Sequence, residues 1–78
     1  MQVTLRATGI IREKFPDKQE IITVILDKPL TVQQILIDQL GVDTAILAAV
    51  IVNGRYRRMD YLPNDGDVVI LVPPVGGG

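Results

Sequence analysis

The chain has 78 residues, which is enough for one domain with one compact core and too few for two domains. It contains no cysteine and no histidine. Disulfides, thiolate nucleophiles, Cys-based metal sites and the commonest general acid–base group are therefore excluded. Eight basic and nine acidic residues give a net charge of −1, whereas a nucleic-acid binder normally carries a strong basic excess. We therefore expect no nucleic-acid partner and no bound metal ion.

The distribution of apolar residues argues against a membrane protein. The N-terminus lacks the long apolar stretch of a signal peptide, and the longest apolar run covers only residues 45–52. About 20 apolar residues are needed to span a bilayer. We therefore expect a soluble cytoplasmic protein without a membrane partner.

The first half of the chain predicts two strands and one helix. Residues 3–7 alternate apolar and polar side chains, which predicts a strand, and residues 7–18 predict a turn with a short irregular or helical piece. Residues 20–26 contain five consecutive β-branched side chains and predict a second strand, paired to the first as a hairpin. Thr31 and Gln34 have the spacing of a capping box, which predicts a helix over 32–40 that ends before Gly41.

The second half predicts three further strands. Residues 48–52 are almost continuously apolar, and Asn53-Gly54 is typical of a two-residue hairpin turn, with a short return strand over 55–59. Pro63 to Asp67 has turn composition, and residues 68–72 predict the last strand. The element order predicts an α+β domain in which one main helix packs across a mixed sheet. We expect the first and last strands to pair in its centre, as in a β-grasp fold.

The C-terminal third of the chain resembles the MoaD/ThiS family. The resemblance rests on the order and spacing of four segments: Val52-Asn53-Gly54, Leu62, Asp65-Gly66-Asp67-Val68 and Leu71-Val72-Pro73-Pro74-Val75-Gly76-Gly77-Gly78. The predicted elements resemble the family over the whole chain, but only residues 52–78 carry specific motifs. The tail is most similar to that of MoaD, the small subunit of molybdopterin synthase, although Gly76 stands where alanine or serine is frequent.

The resemblance implies a ubiquitin-like β-grasp fold and a carrier rather than an enzyme. In that reading the carboxylate of Gly78 is adenylated by a partner of the MoeB/ThiF type, which uses ATP, and a sulfur donor converts it to a thiocarboxylate. In the MoaD case the tail enters the large subunit of molybdopterin synthase and donates sulfur during molybdenum or tungsten cofactor biosynthesis. The carrier itself is expected to bind no cofactor.

The tail composition suits this chemistry. Pro73 and Pro74 offer no N–H to a strand ladder, so the last strand is expected to stop there. Glycine lets backbone approach backbone closely in a narrow cleft beside ATP. Extended at ~3.3–3.6 Å per residue, residues 73–78 reach about 20 Å. We predict a β-grasp domain over 1–75 with a flexible diglycine tail over 76–78, and a partner-binding set of Leu71, Pro73, Pro74, Val75, Gly76, Gly77, Arg55, Arg57 and Arg58.

Several features have a second interpretation. A terminal triple glycine, taken alone, is typical of a mobile chain end. The three arginines form either a solvated hairpin face or a docking surface for an acidic patch. Ile21, Ile25 and Leu71 belong either to a partner-binding sheet face or to the core. Asp60, Asp65 and Asp67 lack a calcium-loop pattern, which favours turn capping over cation binding.

Two other functions fit the same tail. One is a sulfur carrier of the thiamine pathway, which resembles ThiS more than MoaD. The other is a ubiquitin-like modifier or interaction domain, whose Gly78 either forms an isopeptide bond to a lysine or takes part in no reaction. All three functions need a C-terminus without bulky side chains, so the sequence distinguishes these functions poorly.

Overall fold

The computed structural model describes residues 1–7 and 9–74, which form a five-stranded sheet with one main helix packed on it. The strands are β1 (Gln2–Arg6), β2 (Ile21–Ile25), β3 (Ala49–Val52), β4 (Arg55–Arg57) and β5 (Val68–Val72). They lie in the order β2-β1-β5-β3-β4. β1 and β5 are parallel neighbours in the middle, and the other pairs are antiparallel. The predicted mixed sheet with the first and last strands in its centre is confirmed.

The segment between β1 and β2 contains two short helical pieces. A one-turn helix, α1 (Gly9–Glu13), is followed by a 3-10 turn (Pro16–Lys18). Ile11 and Phe15 are buried from this segment, which ties it to the core. The sequence predicted a short irregular or helical piece here, and the structure shows how it is anchored.

The main helix, α2, begins where the capping box predicts. The backbone N–H of Gln34 donates to the Thr31 hydroxyl over 3.1 Å, and the Gln34 side chain accepts from the Thr31 N–H over 2.9 Å. The helix starts in α geometry (Val32–Gln34) and continues with wider π-type bonding (Ile35–Gln39). It ends at Leu40, and the φ of +66° at the following Gly41 favours a residue without a side chain. Both predicted ends are confirmed.

The core lies between α2 and one face of the sheet. Val32, Ile35 and Leu36 of the predicted helical stripe are buried, and Leu40 packs against the core. The sheet contributes the alternate residues that face the helix: Val3, Leu5, Val24, Val50, Val52, Val69 and Leu71. A domain of this size buries only about 60% of its extended-chain surface, so this single layer supplies most of the apolar burial.

Two turns position the C-terminal half. Asn53 and Gly54 have φ values of +54° and +78°, which are the positive values that a tight two-residue hairpin of this kind requires. The predicted β3–β4 hairpin is therefore confirmed, although β4 ends at Arg57 rather than Met59. A 3-10 turn (Thr44–Ile46) precedes β3 and was not predicted.

The burial of Leu36 generates a stability prediction. Its side chain is 0% exposed in the centre of the core, so Leu36→Ala should lower the free energy of unfolding by about 2–5 kcal/mol through lost burial and a residual cavity. Ile37 is 48% exposed on the same helix, and Ile37→Ala is the matched control with a much smaller effect. Urea denaturation of both variants measures the difference. Equal losses would show that the buried face of α2 is wrongly assigned.

Candidate functional site

The point at which the chain leaves the sheet is fixed by the end of β5. Val72 pairs with Ala49, and its carbonyl accepts the Ala48 N–H over 2.9 Å. Pro73 and Pro74 follow, and neither has an N–H to extend the ladder. Pro73 is half-buried and Pro74 is exposed. The described chain therefore leaves the sheet directly after Val72, as the two prolines predict.

Four predicted site residues lie outside the described part of the chain: Val75, Gly76, Gly77 and Gly78. The boundary at residue 75 and the tail over 76–78 fall in the same segment. Their predicted roles therefore stay predictions.

The prediction that Leu71 lies on a partner-binding surface is wrong. Its side chain is 2% exposed and belongs to the core. Leu71 pairs with the buried Val50, and residues directly opposite each other in a ladder point to the same face. Leu71 is therefore a packing residue, whereas its neighbours Ile70 and Val72 point away from α2.

The sheet face opposite α2 presents a row of side chains across all five strands. We call this surface the outer sheet face. The strand registers align one residue from each strand, in the order Ile21, Arg6, Ile70, Ile51 and Tyr56. Ile21 is 55% exposed and Tyr56 is 72% exposed. Four of the five residues in this row are apolar or aromatic, and Arg6 lies between Ile21 and Ile70. No described element covers the side chains of Ile21 and Tyr56.

The three predicted arginines lie together at the β4 edge of the sheet. Arg55 and Arg57 pair with Val52 and Val50, and Arg58 follows immediately. All three are exposed. The Arg57 guanidinium carbon lies 5.4 Å from the centre of the Tyr61 ring, which is within the range of a cation–π contact. The structure thus shows a basic edge of the domain, and both predicted interpretations of it stay open.

A shallow groove of about 430 Å³ lies next to the base of the tail. Ala48 and Ala49, the residues bonded to and paired with Val72, form one side of it. The other lining residues come from α2 and from the segment after β4: Gln33, Arg58, Met59 and Asp60. Sequence reasoning missed this groove because its walls come from three separate segments. Arg58 therefore borders both the basic edge and the chain exit.

Asp65 and Asp67 organise the turn before β5, which confirms the capping interpretation for these two carboxylates. Asp65 Oδ1 accepts the Gln2 N–H over 2.7 Å. Asp67 Oδ2 accepts both the Asn64 N–H, over 2.9 Å, and the Tyr61 hydroxyl, over 3.0 Å. No cluster of three or more potential ligands suitable for a metal ion occurs within residues 1–7 and 9–74. Across the same residues, no helix is long and apolar enough to cross a membrane.

Solved structures with the same fold cover 95–100% of the chain. The structure of SAMP1 from Haloferax volcanii is 19% identical, covers 100% of both chains and superposes with a TM-score of 0.74. A protein assigned as subunit 1 of a molybdopterin converting factor from Pyrococcus furiosus is 23% identical, covers 95% of this chain and 98% of that chain, and has a TM-score of 0.68. A complex of subunits 1 and 2 of the molybdopterin-converting factor from Helicobacter pylori contains a chain that is 25% identical, with 100% coverage of both chains and a TM-score of 0.55.

These similarities and the strand order define the class: the domain is a ubiquitin-like β-grasp protein. The model of the ThiS family matches residues 9–78, and the chain belongs to this family of small sulfur carriers, which includes MoaD-type proteins. A comparison with curated protein sequences finds no significant match.

Tyr61 supplies a pH-dependent test of the turn that positions β5. Partial burial, the hydrogen bond donated to Asp67 and the negative charge of Asp67 raise the pKa of Tyr61 above 10.0, against an opposing effect of Arg57. The bond stabilises the fold below the unfolded-state pKa. Its contribution is lost as the pH rises, because the unfolded chain releases the phenol proton first.

We therefore expect Tyr61→Phe to lower the free energy of unfolding by about 1 kcal/mol at neutral pH. The difference from wild type should shrink above the unfolded-state pKa of about 10. Urea denaturation over a pH series measures both values. Tyr56→Phe is the matched control, because Tyr56 is exposed and no described hydrogen bond engages its hydroxyl. A Tyr61→Phe difference that stays constant through the alkaline range would contradict the assigned hydrogen bond.

Proposed function

We propose that this chain is the sulfur-carrying small subunit of a molybdopterin synthase and acts through the carboxylate of Gly78. The observation that carries the proposal is the end of β5. The ladder stops at Val72, two prolines follow, and the remaining residues end in Gly77-Gly78 within the region matched by the ThiS family. The central strand of the sheet thus ends six residues before the carboxylate of Gly78.

The proposed chemistry requires activation by a partner. A carboxylate is a poor electrophile, so an adenylating enzyme of the MoeB/ThiF type joins it to AMP from ATP and releases pyrophosphate. A sulfur nucleophile at the oxidation level of sulfide then attacks the acyl carbon, the bond to AMP breaks, and the sulfur remains on Gly78 as a thiocarboxylate. The carrier needs no catalytic side chain for either step, which agrees with a sequence that has no cysteine and no histidine. These steps consume ATP, so we expect the carrier to work in the cytoplasm.

Three surfaces around the chain exit are available to hold the partners. The outer sheet face supplies apolar area, and the basic edge of Arg55, Arg57 and Arg58 supplies positive charge. The groove lined by Ala48, Ala49 and Arg58 lies next to the residues that hold Val72. Small displacements of a reacting group cost on the order of a hundredfold in rate. A rigid docking surface beside the tail is therefore needed to position the carboxylate.

The synthase assignment is supported by the Helicobacter pylori complex, in which a chain similar to this one is paired with subunit 2 of the molybdopterin-converting factor. We propose the corresponding large subunit as the second partner of this chain. A thiamine-pathway carrier and a protein modifier use the same terminal carboxylate, so the acceptor of the sulfur or of the acyl group distinguishes the three functions.

The glycines of the tail provide the test of activation. Gly77→Val or Gly78→Val should abolish ATP–pyrophosphate exchange by the cognate adenylating enzyme, because a β-branched side chain restricts the backbone and adds bulk in a narrow cleft. Each variant is compared with wild type at equal folded concentration. A chain that ends at Gly76 is the negative control, and Ile10→Val, at an exposed position of α1, is a matched neutral control. Undiminished exchange by both glycine variants would remove the tail from the mechanism.

The synthase assignment is tested separately in the same preparation. Thiocarboxylated carrier is mixed with the large subunit and the pterin precursor, and sulfur transfer to the pterin is followed. Transfer supports the small-subunit role. A carrier that is activated and loaded but transfers no sulfur to the pterin would contradict the synthase assignment and leave the sulfur-carrier assignment intact.

A further inference from the structure

The two edge strands of the sheet differ in how well they are protected against pairing with a strand of another molecule. β4, at one edge, has only three residues and carries Arg55 and Arg57, both exposed. Short edge strands with positive charges resist pairing with another strand. β2, at the other edge, is Ile21-Ile22-Thr23-Val24-Ile25. It has five β-branched residues, no charge and no proline, so it lacks the features that usually protect an edge.

The hydrogen-bond pattern shows which backbone groups of β2 face outward. The carbonyl of Glu20 accepts from Ala7, and Leu26 exchanges bonds with Met1, so the even-numbered residues bond to β1. In an antiparallel ladder the alternate residues point away from that partner. The N–H and C=O groups of Ile21, Thr23 and Ile25 therefore lie along the open edge. The side chains of Ile21 and Ile25 are also exposed there, at 55% and 67%.

The outward residues of β2 are self-complementary. If a second β2 strand lies antiparallel about a two-fold axis through Thr23, Ile21 is opposite Ile25 of the second copy and Thr23 is opposite itself. Each opposed pair then exchanges two backbone hydrogen bonds. Cross-strand pairs of β-branched and threonine side chains are favourable. No charged residue of either β2 strand lies opposite another charge in this register.

Charges of both signs flank β2. Glu20 precedes the strand, and Asp27 and Lys28 follow Leu26. Antiparallel pairing brings Glu20 of one copy opposite Leu26 of the other, where Asp27 and Lys28 both line a groove of about 350 Å³. These flanking charges neither favour nor oppose the arrangement, so the opposed residues of β2 itself determine the register. Isologous pairing of this kind is the commonest form of protein dimer.

We propose that the β2 edge is a homodimer interface, in which two copies pair through Ile21, Thr23 and Ile25 and join their sheets into one. The interface is separate from the basic edge and from the chain exit after Val72, because β4 and β5 lie on the far side of β1 from β2. Only one short strand from each copy takes part, and small interfaces of this kind are typically weak. The dimer therefore forms at high protein concentration.

Sedimentation equilibrium up to millimolar concentration tests the dimer. The average mass of the wild-type chain should rise from 8.6 kDa toward twice that value. Ile25→Lys should keep the mass at the monomer value, because it places a charge on the outward edge. Tyr56→Lys, at an exposed position on the same face but on β4, is the matched control and should dimerise like wild type. A wild-type mass that stays at the monomer value overturns the proposal, as does an equal effect of the two lysine variants.

A further measurement identifies the interface. Amide exchange should become slower with rising concentration at Ile21, Thr23 and Ile25, and unchanged protection at all three residues would contradict edge pairing.

Discussion

The parallel pairing of β1 with β5 determines how the rest of the domain is arranged. Thr4 pairs with Val68, and the turn before β5 is bonded to β1 at three points: Gln2 N–H to Asp65, Gly66 N–H to the Gln2 carbonyl, and Thr4 N–H to the Asp67 carbonyl. These bonds join the two ends of the sequence in the middle of the sheet. They also fix the register of β5, and with it the point and direction at which the chain leaves the fold.

The division of the sheet into two faces follows from that register. One face is covered by α2 and contains the core, where Leu71 packs with Val50 and Val69. The opposite face keeps Ile70 in the centre of the row that runs from Ile21 to Tyr56. A domain this small has little apolar area to spare. Exposed apolar side chains on one face of such a domain are typical of a surface that contacts other proteins.

Most of the fold is predictable from local patterns. The capping box of Thr31 and Gln34, the Asn53-Gly54 turn and the alternation of β1 each determine local geometry through nearby residues, and all three are confirmed. The orientation of β5 is different. Every residue from Val68 to Val72 is apolar, so alternation cannot show which side chains face the core, and only the pairing with β1 and β3 decides it. The assignment of Leu71 to a partner surface failed for that reason.

The surfaces of the candidate site were partly predictable. The two prolines correctly predict where the ladder ends, because the absence of an N–H is a local property. The groove beside Val72 and the contact of Arg57 with Tyr61 join residues that are separated in sequence, and no local pattern indicates them. The unprotected edge at β2 also becomes visible only when the strand order places β2 at the end of the sheet.

The mass of the intact protein isolated from its native host tests the central claim most directly. A sulfur carrier should yield a population heavier than the sequence mass by the difference between one sulfur and one oxygen atom, and fragmentation should place that difference on Gly78. Treatment with a thiol-reactive alkylating agent should label this population alone, because the chain has no cysteine. A chain recovered only at the unmodified mass, or only joined to lysines of other proteins, would contradict the account.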